Sequence, residues 1–171
     1  MIPIISVVGR SNSGKTTYLE KLIAELKRRE VKVAVIKHHH HDFEIDKPGK
    51  DTWRHAQAGA DIVCLASPHK VAMIRKTDQE LSLDQVVGYI DNVDIIITEG
   101  YKQESKPKIE VYRHAAGNEP LGVKPELLAV VSDTLLYEDV PHFQLDDPAA
   151  MAGFLELNVL NNKTSKDDCY V

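Results

Sequence analysis

Gly9, Gly14, Lys15 and Thr16 stand at the spacing G-x-x-x-x-G-K-[ST], a pattern that holds phosphate. At Gly9 and Gly14 the chain can turn where a β-carbon would clash. The turn aims successive backbone N–H groups of Ser11, Asn12, Ser13, Gly14 and the residues through Thr17 into a concave anion site. A helix starting there adds unpaired N–H donors and the positive end of its dipole. Lys15 can then reach the β- and γ-phosphates of a nucleoside triphosphate, and the Thr16 hydroxyl can ligate Mg²⁺. Such a site needs a second acidic group near the metal, at the end of a neighbouring buried strand. Asp94-Ile95-Ile96-Ile97-Thr98-Glu99-Gly100 supplies it: Glu99 can reach Mg²⁺ through a water, and Gly100 lets the backbone approach a phosphate closely.

These residues need a parallel sheet to place them. Pro3 to Val8 is apolar and β-branched, as a buried parallel strand should be. Leu19, Leu22, Ile23 and Leu26 recur at helical spacing after the loop, predicting a helix to about Arg29. Val31–Ile36 reads as a second strand completing a strand–helix–strand unit. Asp51 caps a short helix from Thr52 to Ala58, with Gly59 at its left-handed end. Ile62–Ala66 and Val71–Ile74 suit a hairpin, and Ser82-Leu83-Asp84-Gln85 is a capping box opening a helix to about Ile90. Val93–Thr98 and Leu127–Val131 are buried strands. Ile109–Tyr112 alternates, so it reads as an edge or half-buried strand able to pair edge to edge with a second chain. Phe143–Leu145 is a last short strand, and Asp147-Pro148 caps and opens a final helix. The fold class is therefore α/β: a three-layer P-loop NTPase arrangement, mostly parallel, flanked by helices, with added antiparallel hairpin strands. Residues 1–160 form a single nucleotide-binding domain and 161–171 a polar tail.

A length of 171 residues suits one such domain. Net charge of −5 gives no general attraction to nucleic acid or to an anionic membrane, and no apolar run approaches membrane-spanning length. Two cysteines, Cys64 and Cys169, suggest no disulfide framework, so a reducing cytoplasm is the expected setting. The run His38-His39-His40-His41 does not predict one metal centre, because alternate residues of an extended segment point to opposite sides. One or two of these histidines are expected to line the phosphate pocket. For base recognition, the well-placed acid is Asp133, following the strand that ends at Val131; the residues alone leave guanine and adenine both open.

Taken together, these segments resemble the molybdopterin-guanine dinucleotide biosynthesis protein B (MobB) family. The resemblance rests on Gly14-Lys15-Thr16-Thr17, Lys37-His38 with His40-His41-Asp42, Asp46-Lys47-Pro48-Gly49-Lys50-Asp51, Gly59-Ala60, Glu99-Gly100-Tyr101-Lys102, Lys108-Ile109 and Ala129-Val130-Val131-Ser132-Asp133. It departs at Tyr101, where phenylalanine is usual, and at Thr52, where serine is usual. The resemblance implies a homodimeric GTP-binding protein with weak GTPase activity. Such a protein assists the MobA-type guanylyltransferase that joins GMP to molybdopterin to give molybdopterin guanine dinucleotide. It also implies Asp133 as the guanine contact and Lys37, His38 and Asp42 as pocket residues. Beyond the resemblance, Arg10 follows the first loop glycine and reads either as an exposed loop arginine or as a charge stabiliser reaching across the dimer to the partner's phosphates. The rival classes are a P-loop small-molecule kinase and a GTP-dependent metal chaperone drawing on the histidine run.

Overall fold

The apolar run before the glycine loop forms β1 (Ile4–Val8) and the periodic segment after it forms α1 (Lys15–Arg28) in the computed structural model, which describes residues 1–39, 41–122 and 125–161. There follow β2 (Val33–Lys37), α2 (Asp51–Gln57), β3 (Ile62–Ser67), β4 (Lys70–Arg75), α3 (Leu83–Val87), β5 (Ile95–Glu99), β6 (Lys108–Tyr112), β7 (Leu127–Ser132), β8 (His142–Phe143) and α4 (Pro148–Leu155). His40 and all of the expected tail beyond Asn161 lie outside the described residues. Among the described residues, no helix is long and apolar enough to cross a membrane.

The chain divides into two compact units, residues 1–38 with 91 onward, and residues 39–90. In the first, six strands run parallel in the order β2-β5-β1-β6-β7-β8. Alternation along each strand sends Ile5, Val7, Ile95, Ile97, Ile109, Val111, Ala129 and Val131 into one core with Leu19, Leu22 and Leu26 of α1 and Met151 and Leu155 of α4. Asp147 accepts from Ala150 N–H at 3.0 Å and Pro148 opens α4, as the sequence predicts. Beyond Leu155 the helix widens into a π-type turn over Glu156–Leu160.

The expectation for Ile109–Tyr112 is overturned. β6 lies between β1 and β7, and all five of its residues are buried, so neither edge is open to a second chain. The polar positions that gave the alternating pattern are satisfied internally. Lys108 Nζ donates to the Glu104 carbonyl at 2.6 Å and faces Glu126 at 3.8 Å. The Glu110 carboxylate accepts from Leu121 N–H and the Tyr137 hydroxyl. A period of two thus marks here a strand whose second face is buried under polar partners rather than under water.

At the far end of α1, the Glu25 carboxylate accepts from Arg28 and Arg29, and Arg29 bridges onward to Glu156 at 2.7 Å and the Ala149 carbonyl at 3.0 Å, joining α1 to the α4 segment. The hydrogen bonds from Arg28 and then Arg29 hold the Glu25 carboxyl down to about 2, from an ordinary 4.5. A depressed folded value adds stability above the unfolded value, which is lost as pH falls through the folded one. Glu25→Gln is therefore expected to flatten the decline in thermal stability between about pH 4.5 and 2. Superimposable wild-type and variant pH profiles would contradict this.

The second unit holds α2, α3 and an antiparallel β3–β4 hairpin in register Ser67↔Lys70 to Ile62↔Arg75. Lys76 Nζ reaches the Ala56 carbonyl at 3.3 Å, and Arg75 donates to the Tyr89 hydroxyl at 2.9 Å. The Ser82–Gln85 capping box forms in both directions, although α3 ends at Val87, short of Ile90. Asp51 does not cap α2. Lys50 occupies that position without a side-chain bond, and Asp51 is the first helical residue, where its charge still suits the dipole. The hairpin leaves Ile62, Leu65, Val71 and Met73 exposed.

Candidate functional site

Strand register assembles the site. Parallel pairing sets Glu99 beside Val7 of β1 and beside Lys37 of β2, so β1, β2 and β5 end together where Gly9 begins the loop. That carboxyl edge is where an open parallel sheet carries ligands. From β5, Glu99 Oε1 accepts the Thr16 hydroxyl at 2.8 Å and lies 3.5 Å from Lys37 Nζ. Two groups separated by 83 residues in sequence thus meet at the first turn of α1.

The loop itself is tightly wound. A β-carbon on Gly9 would fall 2.4 Å from the Val111 carbonyl and 2.7 Å from Ser13 Oγ. Asn12 takes φ 63°, a left-handed conformation that asparagine tolerates, and Gly14 takes φ 88° as the cap of α1. Ser13 is 2% exposed, and its Oγ has no hydrogen-bond partner among the described residues. α1 has neither a side-chain N-cap nor an acid in its first turn, so its leading N–H groups are offered to something else. Lys15 Nζ donates to the Arg10 carbonyl at 2.7 Å. Burial pushes the Lys15 ammonium below its ordinary value, helped by Lys102 and Lys37 and opposed by Glu99. An orphaned buried hydroxyl, an uncapped helix start and crowded ammonium groups fit a polyphosphate with its Mg²⁺.

The other expected residues fall as follows. Ser11 gives its carbonyl to Asn118 Nδ2 at 3.0 Å, while Arg10 and Thr17 are exposed. His38 N–H donates to the Glu99 carbonyl at 3.0 Å, and its ring lies 4.5 Å from that of Tyr101. Gly100, at φ 109°, sits so close to His38 that a β-carbon would come within 3.2 Å of the His38 Cβ. Asp133 follows β7, two strands from β1, and its Oδ1 accepts from His114 N–H at 2.8 Å. Asp42 belongs to the second unit and is exposed. In the histidine run, His39 Nδ1 interacts locally with the His41 backbone. Among the described residues, no group of three or more His, Cys, Asp or Glu side chains could hold a metal ion.

Three residues at this edge carried no assigned role in the sequence reading: Lys102, Arg113 and Asn118. Lys102 comes three residues after Glu99, and Arg113 directly follows β6. The available signal was position alone, since residues just beyond the carboxyl ends of parallel strands face the ligand crevice.

Comparison with known proteins places the chain closely. The sequence model for MobB, molybdopterin guanine dinucleotide synthesis protein B, matches residues 4–133. The chain is 38% identical over 157 residues to the molybdopterin-guanine dinucleotide biosynthesis adapter protein of Haemophilus influenzae, covering 91% of this chain and 88% of that one. With the Escherichia coli adapter protein it shares 37% identity over 161 residues, covering 91% and 92%. A crystal structure of molybdopterin-guanine biosynthesis protein B superposes with TM-score 0.67 at 31% identity over 89% of this chain and 97% of that one. The crystal structure of Bacillus subtilis MobB gives 0.70 at 25% identity over 91% and 97%.

Proposed function

The chain belongs to the molybdopterin guanine dinucleotide synthesis protein B (MobB) family, and on that premise we propose that it is a GTP-binding adapter of molybdopterin guanine dinucleotide biosynthesis. It binds GTP with Mg²⁺, hydrolyses it slowly, and assists a MobA-type guanylyltransferase in attaching GMP to molybdopterin. The observation that carries the nucleotide reading is the 2.8 Å bond between Thr16 of the glycine-loop helix and Glu99 at the end of β5. A hydroxyl and a carboxylate brought together from two elements, at the start of a helix with no side-chain cap, are the donor pair a phosphate-bound Mg²⁺ requires.

In this reading Thr16 and Glu99 hold Mg²⁺, which when bound neutralises charge on the phosphate oxygens. The Lys15 ammonium and the first N–H groups of α1 hold the phosphates against the loop, and Gly9, lacking a β-carbon, lets the loop pack closely against β6. Lys37, paired with Glu99, orients that carboxylate. Asp133 accepts from the guanine edge through the oxygen that His114 leaves open. The protein works as a homodimer, a reading supported by the exposed apolar side chains of the β3–β4 hairpin.

Calorimetric titration with GTP, ATP and molybdopterin, each with and without Mg²⁺, tests the assignment. GTP is expected to bind more tightly with Mg²⁺ than without. Thr16→Ala should remove about tenfold of that gain while leaving metal-free affinity close to wild type. Equal affinities with and without Mg²⁺ in the wild type would remove the role given to Thr16 and Glu99.

A further inference from the structure

Arg113, the residue directly after β6, has its guanidinium laid against the cap of α1. A β-carbon on Gly14 would lie 3.4 Å from Arg113 Nη2 and 3.7 Å from its Nε. The segment carrying it is tied down on two sides. Asn118 Nδ2 bonds the Ser11 carbonyl at 3.0 Å, fixing the segment to the glycine loop. His114 N–H bonds Asp133 at 2.8 Å, fixing it to the end of β7. A short 3₁₀ turn at His114–Ala116 lies between these anchors.

This placement is electrostatically uphill in the protein alone. A cation beside a helix N-terminus meets the positive end of the dipole. The first turn of α1 carries no acid to offset it. Among the described residues, no carboxylate pairs with Arg113. Lys15 in the loop is also pressed by Lys102 and Lys37, and Glu99 is engaged by Thr16 and Lys37. An anion seated on the loop would be attracted by each of these cations and by the helix N-terminus, offsetting the repulsion among them. Ser13 Oγ, buried beside Gly9 without a partner, is a second and independent group awaiting an acceptor or donor at the same place.

We propose that Arg113 is a phosphate-binding cation supplied in cis by the loop after β6, contacting the polyphosphate chain of the nucleotide; this rests on the nucleotide reading above. The planar fork of a guanidinium suits two phosphate oxygens at once. It would also give the site a built-in arginine at a place no motif position marks.

The test is calorimetry on the full chain with Mg²⁺–GTP and, separately, Mg²⁺–tripolyphosphate, which has the phosphates without base or ribose. Arg113→Ala should bind both ligands about tenfold to a hundredfold more weakly. Arg113→Lys should recover part of the loss, because charge returns without the fork. Arg113→Gln carries the same expectation as alanine should the alanine variant fail to fold. Affinities within twofold of wild type for both ligands would overturn the assignment. So would a loss for GTP with tripolyphosphate unaffected, which would place the guanidinium on the base or ribose. No heat from the wild type with either ligand would overturn the nucleotide reading and this assignment with it; that result is read from the wild type alone, so the two failures are distinct.

Discussion

Lys15→Ala is expected to weaken GTP binding by about a hundredfold or more while leaving the melting temperature of the free protein unchanged or slightly raised. The asymmetry follows from where the ammonium sits. It donates to the Arg10 carbonyl, is partly stripped of water, and is pressed by Lys102 and Lys37 while Glu99 attracts it. Removing it costs the free fold one hydrogen bond and the attraction to Glu99, and relieves the burial of a charge and the repulsion from two ammonium groups. In the complex the same group would make charge-assisted bonds to phosphate in a shielded loop, each worth about 1.5–3 kcal/mol. Its titration supplies a second readout. The free ammonium loses its proton below 10.5, and a bound phosphate would raise that value. Affinity should therefore be full below the free value and fall as pH rises through it. Titration calorimetry with thermal melts on both proteins checks the pair of expectations. A variant binding within threefold of wild type would show that the loop is not the nucleotide cradle.

The glycine loop, its strand and its helix were legible because each rests on local chemistry: an apolar run, fixed glycines, and helical spacing of Leu19, Leu22 and Leu26. The hairpin and the Asp147-Pro148 helix start were legible for the same reason. β6 was not, because pattern reading equates alternating polarity with a wet face. Glu110 and Lys108 instead find partners from Leu121, Tyr137, Glu104 and Glu126, residues from 4 to 27 positions away. The cation set at the site was half legible. Lys15 and Lys37 sit in or beside motifs, whereas Arg113 meets Gly14 only because the strand order sets β6 next to β1. Strand order is a long-range property, and the spacing of residues along the chain does not encode which strand will lie beside β1. Asp133 shows the same limit from the other side. Its place after a buried strand was readable, but its bond to His114 across the ends of β6 and β7 was not.

That neighbour relation makes Gly9→Ala the second variant of large effect. The added β-carbon would lie 2.4 Å from the Val111 carbonyl, well inside contact distance. Val111 is buried in β6, which is hydrogen-bonded between β1 and β7, so the carbonyl cannot step aside without moving a central strand. Overpacking of this kind costs about 1–3 kcal/mol, or roughly 2–12 °C in melting temperature for a chain this size. The alternative is for the loop to lift away from β6, which would carry Ser13 and Lys15 with it, since both lie within 3.2 Å of the new carbon. Either way nucleotide affinity should fall more than about tenfold, because the donors must stay aligned to act together. Adding Ser13→Ala removes the 2.7 Å contact with Ser13 Oγ but not the one with the strand, so the double variant should be no better folded than the single. Gly14→Ala meets the movable Arg113 side chain first, at 3.4 Å, so its cost comes from backbone strain at φ 88° rather than from a clash with a strand. Thermal melts and GTP titrations of the three variants separate these cases. Wild-type melting and binding in Gly9→Ala would mean that the loop has room the geometry denies it, and the fit of a phosphate to this cradle would lose its steric basis.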